Sequence, residues 1–265
     1  MKVLTTRIVL IALMSASLAV SGCYSSAVSL GKCTAKYKTC QSAARDFESG
    51  STLSVRNDLG PISVSGGNVT GCQITGRMYV HAPTKRQAKE IAEQVRLAAE
   101  RTDGTLMVTV EKPPLDEKCA VWTDLEIVVP SRAHVDCQTE LGRIRLAEIE
   151  GDVRAVTEFG GITCDQIVSG NITAKSEFGA VRVKCAGTCP ADLVAEVRTE
   201  FGKVRFDVPE TFQGDFDIGT EFGSTSAKLS TASRDQWKRH RKTATTGSGN
   251  GRLFLCTEFG SVRLK

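Results

Sequence analysis

The chain has 265 residues, with 34 Lys or Arg against 30 Asp or Glu, so its formal net charge is only +4. Such an even balance confines any basic character to local segments. The three histidines, His81, His134 and His240, are scattered. They therefore give little support to a Ser-His-Asp triad or to a histidine-rich metal centre.

The N-terminus has the pattern of a bacterial lipoprotein signal. Lys2 and Arg7 precede an apolar run, residues 8–20, that is too short to span a bilayer. The run ends in Ser21-Gly22-Cys23, which resembles a lipobox, so residues 1–22 are predicted to be a signal peptide and Cys23 to carry the lipid. Ordinary signal cleavage nearby is the alternative.

The predicted lipid would place the protein in the bacterial cell envelope, on a membrane. Tyr24 follows the cysteine, rather than the Asp that retains many lipoproteins at the inner membrane, which favours the outer membrane. Residues 23–46 are rich in Ser, Ala, Lys and Thr and are predicted to be a flexible tether.

Export makes the ten cysteines disulfide candidates. Without Cys23 nine remain, so at least one is unpaired or pairs between chains. Short loops favour two pairs, Cys33 with Cys40 and Cys185 with Cys189. Neither pair has the partners of a metal site, and the sequence predicts no metal and no cofactor.

Residues 47–130 alternate between strand and helix signals. Short β-branched runs broken by Gly and Pro predict strands over 47–82 and again over 106–110 and 125–129. Between them, Thr84 begins a capping-box pattern, and apolar residues follow at helical spacing up to Asp103-Gly104. The sequence thus predicts one amphipathic helix over 84–103, covering an end or edge of the sheet, with a partner-binding element as the alternative.

From residue 139 onward one phrase recurs. Thr-Glu-Phe-Gly and its close variants occur six times, ending at Gly142, Gly160, Gly179, Gly202, Gly223 and Gly260. Successive glycines are 18, 19, 23, 21 and 37 residues apart, and a degenerate copy ends at Gly60. A period this short is typical of one coil in a stack of repeats.

Alternate positions around each glycine predict the cross-section of a coil, because strand side chains alternate between faces. The columns seven, five, three and one residue before the glycine, and two and four after it, are apolar or hydroxyl-bearing and are predicted to face inward, with the phenylalanines and Cys137 and Cys164 among them. The predicted fold is therefore all-β: a β-solenoid, a right-handed β-helix of two-strand coils of about 18–23 residues, spanning 47–265.

Two charged columns are predicted to face water and form a candidate binding surface. The acidic column is Glu140, Glu158, Glu177, Glu200, Glu221 and Glu258, and the basic column is Arg145, Arg182, Arg205 and Arg263. Carboxylates stacked about 4.8 Å apart repel by about 0.9 kcal/mol per pair in water. An exposed ion-pair lattice with the arginines is the expected compensation, and a stripe of bound cations such as Ca²⁺ is the alternative.

The long last gap contains a basic and glycine-rich insertion at 228–250. Its candidate residues are Trp237, Lys238, Arg239, Arg241 and Lys242. The insertion is either a solvated loop over the coils or an anchor for anionic lipid headgroups, envelope polysaccharide or an acidic protein.

The order of these elements carries a family resemblance. A short β unit, a helix, the strand Asp124–Pro130, glycine-marked coils and a late Gly247-Ser248-Gly249 loop resemble the bacterial putative-adhesin family of β-strand repeats over about 47–265. The resemblance implies a β-helix-like fold without a cofactor or catalytic residues. The many cysteines and the uniform Glu-Phe-Gly depart from much of that family.

The functional expectation is a non-enzymatic, lipid-anchored envelope protein that binds, adheres or scaffolds through its flat surfaces. The partners are the membrane, through Cys23, and an envelope protein or polysaccharide, but no nucleic acid. One alternative is a sensor or assembly factor that docks a partner through the basic insertion. Another is a carbohydrate-active β-helix enzyme, although its two carboxylates would have to straddle one bond, whereas these repeat equally.

Overall fold

The computed structural model describes residues 35–187, 190–209, 211–228 and 232–265. In this part of the chain there are nineteen β-strands and one α-helix, and all the strands belong to a single hydrogen-bonded sheet. The sheet is mixed, because some neighbouring strands run parallel and others antiparallel. The all-β class predicted from the sequence is therefore confirmed.

The N-terminal region contains seven strands and the helix. The elements are β1 (Ala35–Arg45), β2 (Thr52–Leu59), β3 (Ile62–Gly67), β4 (Cys72–Ala82), α1 (Lys85–Gln94), β5 (Arg96–Thr102), β6 (Thr105–Glu111) and β7 (Ala120–Pro130). β4 lies antiparallel between β1 and β7, and β5 pairs antiparallel with β6. β2 and β3 instead run parallel to their neighbours β6 and β7.

Helix α1 is shorter than predicted. Thr84 caps it as expected, because its hydroxyl oxygen accepts a hydrogen bond from the Gln87 N–H at 3.2 Å. The helix nevertheless ends at Gln94, and residues 96–102 form β5 instead of the predicted continuation to 103. The apolar spacing over residues 96–102 suits either a helix or a strand. Antiparallel pairing with β6 makes the segment a strand.

The repeated copies form two parallel walls that meet at the glycines. Their strands are β8 (His134–Leu141), β9 (Ile144–Ala147), β10 (Val153–Phe159), β11 (Ile162–Ile167), β12 (Asn171–Phe178), β13 (Val181–Cys185), β14 (Val194–Phe201) and β15 (Val204–Asp207). The even-numbered strands pair in the first wall and the odd-numbered ones in the second. β2 and β3 extend these walls toward the N-terminal region.

The last four strands depart from chain order. They are β16 (Gly214–Ala227), β17 (Ala232–Trp237), β18 (Arg241–Thr246) and β19 (Gly251–Leu264). β19 pairs in parallel with β14 and β15 on one side and with β16 on the other, so it separates the two copies that precede it in sequence. β16 then pairs antiparallel with β18, and β18 with β17.

The predicted β-solenoid of consecutive coils is wrong. All strands form one mixed sheet, antiparallel strands occupy both of its ends, and the copies ending at Gly202 and Gly223 are separated by the copy ending at Gly260. The repeat explains why copies pair side by side, since each offers the same register. It does not specify their order, which the antiparallel hairpin against β16 determines.

Side chains bring the sheet close to closure at its N-terminal end. The Gln41 side chain on β1 donates to the Val95 carbonyl at 2.8 Å and accepts from the Leu97 N–H at 2.9 Å. Arg45 donates from Nε to the Ala99 carbonyl at 3.0 Å. These contacts join β1 to β5, although the two strands do not share a backbone ladder.

One apolar core runs between the two walls. Its fully buried side chains include Leu53, Ile144, Leu146 and Phe206, which come from both walls and from both ends of the stack. A smaller cluster lies under α1, where Ala88, Ile91 and Ala92 pack with residues of β4 and β7. The helix therefore covers part of the antiparallel region, as its amphipathic pattern predicts.

The structure tests only some of the predictions made for the N-terminus. Cys23 and the signal peptide 1–22 lie outside the described residues, so lipidation stays a prediction. The predicted tether is wrong over residues 35–45, because they form β1 against the whole length of β4. Within the described residues, no helix has the length and apolar character needed to cross a membrane.

The disulfide prediction is not supported. No disulfide joins two cysteines of the described residues, while Cys33 and Cys189, one member of each predicted pair, lie outside them. Cys137 and Cys164 are buried in the core, as their inward columns predict. Free thiols at such positions behave as small apolar side chains.

Burial of these thiols predicts a pH dependence of stability. It raises the pKa of Cys72 and of Cys164 to about 12, and raises the pKa of Cys137 as well. A raised pKa means that the folded state holds the neutral thiol, so this stability is complete below the unfolded value of about 8.5 and is lost as the pH rises toward 12. We expect Cys164→Ala to remove about 2 kcal/mol of the decline in unfolding free energy between pH 8 and 10, as measured by urea denaturation. An unchanged pH slope would contradict this.

Candidate functional site

The glycines of the repeat stack backbone against backbone along one edge of the molecule. A Cβ on Gly179 would lie 2.1 Å from the Gly160 carbonyl oxygen, and one on Gly202 would lie 2.1 Å from that of Gly179. Such separations are far below van der Waals contact, so only glycine permits this approach. We call the line of Gly60, Gly142, Gly160, Gly179, Gly202, Gly260 and Gly223 the glycine corner.

A row of hydroxyl groups holds the glycine corner together from inside. Thr157 donates from its hydroxyl to the Gly142 carbonyl at 3.0 Å, and Thr199 donates to the Gly179 carbonyl at 2.8 Å. Equivalent bonds start from Thr139, Ser176, Thr257 and Thr220. Asn57 takes this role in the degenerate copy, with bonds to the carbonyls of Gly60 and Thr123 at 3.0 and 2.9 Å. Each copy thus satisfies a carbonyl of its neighbour.

The phenylalanines lie outside, which corrects the prediction that they line the core. We call the row of Phe159, Phe178, Phe201, Phe259 and Phe222 the aromatic ladder. Successive ring centroids are 5.0, 4.9, 4.9 and 4.8 Å apart, with interplanar angles between 1° and 6°. The rings remain 42% to 62% exposed, and Leu141, 40% exposed, continues the row toward the N-terminal region.

The geometry of the corner explains the error. Side-chain alternation holds up to the inward Thr or Ser, but the chain then turns through Glu-Phe-Gly, so both the glutamate and the phenylalanine point outward. Because the rings stack face to face, the edges of the rings are presented to solvent. Edges carry the positive end of the aromatic quadrupole.

The predicted acidic column lies beside the aromatic ladder on the first wall. All six glutamates, Glu140, Glu158, Glu177, Glu200, Glu258 and Glu221, are exposed and stand in one row. None of them makes an ion pair with another described residue. The expected lattice with the arginines is therefore absent from the described part of the chain.

The predicted basic column lies across the corner, on the second wall. Arg205 is bound to Asp207 at 3.0 Å, and Arg182 reaches the same carboxylate at 3.9 Å. Arg145 and Arg263 are exposed and pair with no described residue. Arg143 and Lys203, one position after their glycines, add two exposed cations closer to the rings. The rings therefore lie between the acidic column and the basic column, which we call the acidic row and the basic row from here on.

The acidic row forms one side of a shallow groove. The groove has a volume of about 820 Å³ and includes Arg198, Arg241, Phe254 and Cys256 in its lining. Arg198 donates to the Cys256 sulfur at 3.2 Å and lies over the Phe254 ring at 5.7 Å. The cations here are already engaged, since Arg241 pairs with Asp217 and Arg198 with Glu196.

The basic insertion is ordered into strands rather than forming a loop. Lys242 is buried and donates to the Thr225 carbonyl, the Thr225 hydroxyl and the Lys238 carbonyl at 2.8 to 2.9 Å. Burial lowers its pKa. Lys238 and Arg239 are exposed in the turn before β18, and the Trp237 side chain lies outside the described part. Two of the four predicted cations, Arg241 and Lys242, thus have structural partners.

Two features escaped the sequence reasoning, although the pattern contained a signal for each. An inward column that is always Thr or Ser indicates a fixed hydrogen-bond partner, and the corner carbonyl is that partner. Thr225 and Ala227 occupy positions where other copies have larger apolar residues, which is typical of the end of a stack. These smaller side chains lie in the copy that is last among the parallel ones, next to the antiparallel strand β18.

No protein-family model and no curated protein matches the chain. Among solved structures, it is similar to a putative cell adhesion protein from Clostridium sporogenes at 9% identity, covering 86% of this chain and 99% of that one with a TM-score of 0.46. A putative adhesin from Bacteroides fragilis gives 10% identity, 86% and 97% coverage and a TM-score of 0.42. A putative lipid binding protein from Parabacteroides distasonis gives 9% identity, covering 85% of this chain and 96% of that one, with a TM-score of 0.33. At this distance the family resemblance stays a prediction, and the function rests on the chain's own residues.

Proposed function

We propose that the chain is a non-enzymatic binding protein of the bacterial cell envelope, anchored through Cys23, that makes adhesive or scaffolding contacts along the glycine corner. The aromatic ladder is the observation that supports this proposal. The rings are fixed by the stacked backbone beneath them, so they form a rigid surface. Aromatic side chains, including phenylalanine, are enriched at the buried centres of protein interfaces.

In the isolated chain, the aromatic ladder keeps apolar surface in water that a partner would bury. Stacking contributes about 0.5–1.5 kcal/mol per ring pair, but each ring keeps roughly half of its surface in water. Burying such a row against a partner would add about 25 cal/mol for each Å² of apolar surface. Contiguous apolar rows of this kind usually mark interaction sites on soluble proteins.

The charged rows favour the corner over the basic insertion as the contact surface. The six glutamates, together with Arg145 and Arg263, are exposed and have no described ionic partner. Arg241 and Lys242 of the insertion are instead held by Asp217 and Thr225. Charges that are free of internal partners are available to a ligand, and they set association rate and specificity.

Removing two central rings tests the proposal. In the full-length chain, purified in detergent, we expect Phe178→Ser/Phe201→Ser to weaken binding to immobilised envelope fragments from cells that carry the native chain at least about tenfold, since two truncated hot-spot residues cost more than 1.4 kcal/mol. Surface plasmon resonance measures the affinity. The fold should remain, because the rings lie outside the core.

Met107→Ser is the matched control, because Met107 is an exposed apolar residue, 47% accessible, on β6 away from the corner. Its binding should equal that of the native chain. Equal binding of the native chain and the ladder variant would refute the corner as the contact surface. Release of a hydrolysis product from envelope polysaccharide by the purified chain would refute the non-enzymatic part of the proposal.

A further inference from the structure

The aromatic ladder has a regular spacing. The ring centroids repeat every 4.8 to 5.0 Å along five rungs, and the planes are parallel to within 6°. This period comes from the strand separation of the sheet. A row of matching period and length is present on any second copy of the chain, so two ladders can pack in register without adjustment.

We infer that two copies of this chain pair through their aromatic ladders, about a two-fold axis that runs parallel to the ladder. The inference deepens the proposed function and rests on it, because it identifies the partner of the same corner. In such an isologous interface each ladder packs against the other, and the same surface serves both copies. The ring edges of one copy then contact the ring edges of the other copy and are removed from water.

The two charged rows determine the direction of pairing. The glutamates lie on one side of the rings, and Arg143, Arg145, Arg182, Lys203 and Arg263 lie on the other. Turning one copy about an axis parallel to the ladder exchanges left and right, so each acidic row faces the basic row of the other copy. An axis across the ladder would instead place glutamates against glutamates.

This arrangement also accounts for the exposed glutamates that lack partners. Neighbouring carboxylates at the strand spacing repel by about 0.9 kcal/mol per pair even in water. Four of the six rungs carry an arginine three residues after the glycine: Arg145, Arg182, Arg205 and Arg263. Arg205 is held by Asp207 of its own chain, so the rungs at Glu140, Glu177 and Glu258 would each gain a cation from the second copy, once on each flank of the interface.

The parallel axis has a consequence for the membrane. It places the N-terminal regions of both copies at the same end of the pair, so the two predicted anchors at Cys23 would enter the same bilayer. The pair is therefore a contact between neighbours in one membrane. It is also closed, because each copy has one ladder and both ladders are used.

A charge-exchange experiment tests the inference. Full-length chains with two different affinity tags are expressed together, solubilised in detergent and captured through one tag, and the second tag is quantified. The acid-to-base variant is Glu140→Arg/Glu177→Arg/Glu258→Arg, and the base-to-acid variant is Arg145→Glu/Arg182→Glu/Arg263→Glu. Arg205 is left in place, because it is bound to Asp207.

We expect each variant to capture its own kind at least about tenfold less than native captures native, a loss of about 1.4 kcal/mol. The two variants together should recover near-native capture, because opposite charges face each other again on both flanks. Undiminished self-capture of either variant, or no recovery in the mixture, would overturn the proposed pairing. Circular dichroism and thermal melting verify that each variant is folded.

The ladder variant separates this inference from the proposed function. Phe178→Ser/Phe201→Ser should abolish capture of its own kind, whereas Met107→Ser should not. If the ladder variant loses envelope binding but still captures itself as native does, the pairing is refuted and the binding function stands. If it loses self-capture but binds envelope fragments normally, the pairing stands and the corner is not the envelope-binding surface.

Discussion

Gly179→Ala is expected to destabilise the protein by about 4 kcal/mol or more, or to prevent folding. The new methyl group would lie 2.1 Å from the Gly160 carbonyl oxygen and 2.5 Å from its carbon. Both atoms belong to backbone, and Gly160 is itself fixed against Gly142, so no side chain can move aside. Overlap of this kind belongs to the small class of exceptionally severe substitutions.

Gly170→Ala is the matched control for this prediction. A Cβ at Gly170 meets no atom within 4 Å, and the residue is exposed between β11 and β12. Its free energy of unfolding should change by less than about 1 kcal/mol. Urea denaturation of the two variants beside the native chain measures the difference. Equal stabilities of the Gly179 and Gly170 variants would show that the corner is not as close-packed as described.

Removing three adjacent corner hydroxyls is expected to cost about 3 kcal/mol. The variant Thr157→Val/Ser176→Ala/Thr199→Val keeps approximately the side-chain volumes but removes the donors to the carbonyls of Gly142, Gly160 and Gly179. A buried carbonyl left without its donor costs about 1–3 kcal/mol, and here each loss falls at the lower end because valine and alanine suit the apolar surroundings. Chemical denaturation again gives the value.

Outward hydroxyls provide the control for that variant. Thr163→Val/Thr173→Val changes the same chemical group on β11 and β12, at half-buried positions in the outward columns. Its stability should remain within about 0.5 kcal/mol of native per site. A hydroxyl triple variant that unfolds no more easily than this control would mean that the corner carbonyls do not depend on the Thr and Ser donors.

The local parts of the fold follow from the sequence. The spacing of apolar residues predicts which faces of β8 to β15 are buried, because a strand has only two faces and Val135, Ala155 and Ile172 recur on one of them. Thr84 predicts the start of α1 through its capping geometry. Register is predictable for the same reason, since a shift by one residue would expose every apolar side chain.

The remainder depends on contacts between distant segments, which repeat spacing does not encode. Nothing within the phrase Thr-Glu-Phe-Gly distinguishes the copy at Gly223 from the copy at Gly260, yet the hairpin β17–β18 requires the edge of β16. The outward position of Phe178 depends likewise on where the backbone bends, and alternation alone places it inside. The candidate columns of Glu and Arg were located correctly on the surface, but the rings between them were not.

The position of β19 constrains the order in which the last strands can assemble. β14 and β16 never touch each other directly, because the later segment Gly251–Leu264 lies between them in both walls. As the chain emerges from its N-terminus during synthesis, the copies up to β15 can assemble in order, but β16 has to wait for residues more than twenty positions downstream. Assembly of this end is therefore a single late event, which requires the last strand of the chain to be present.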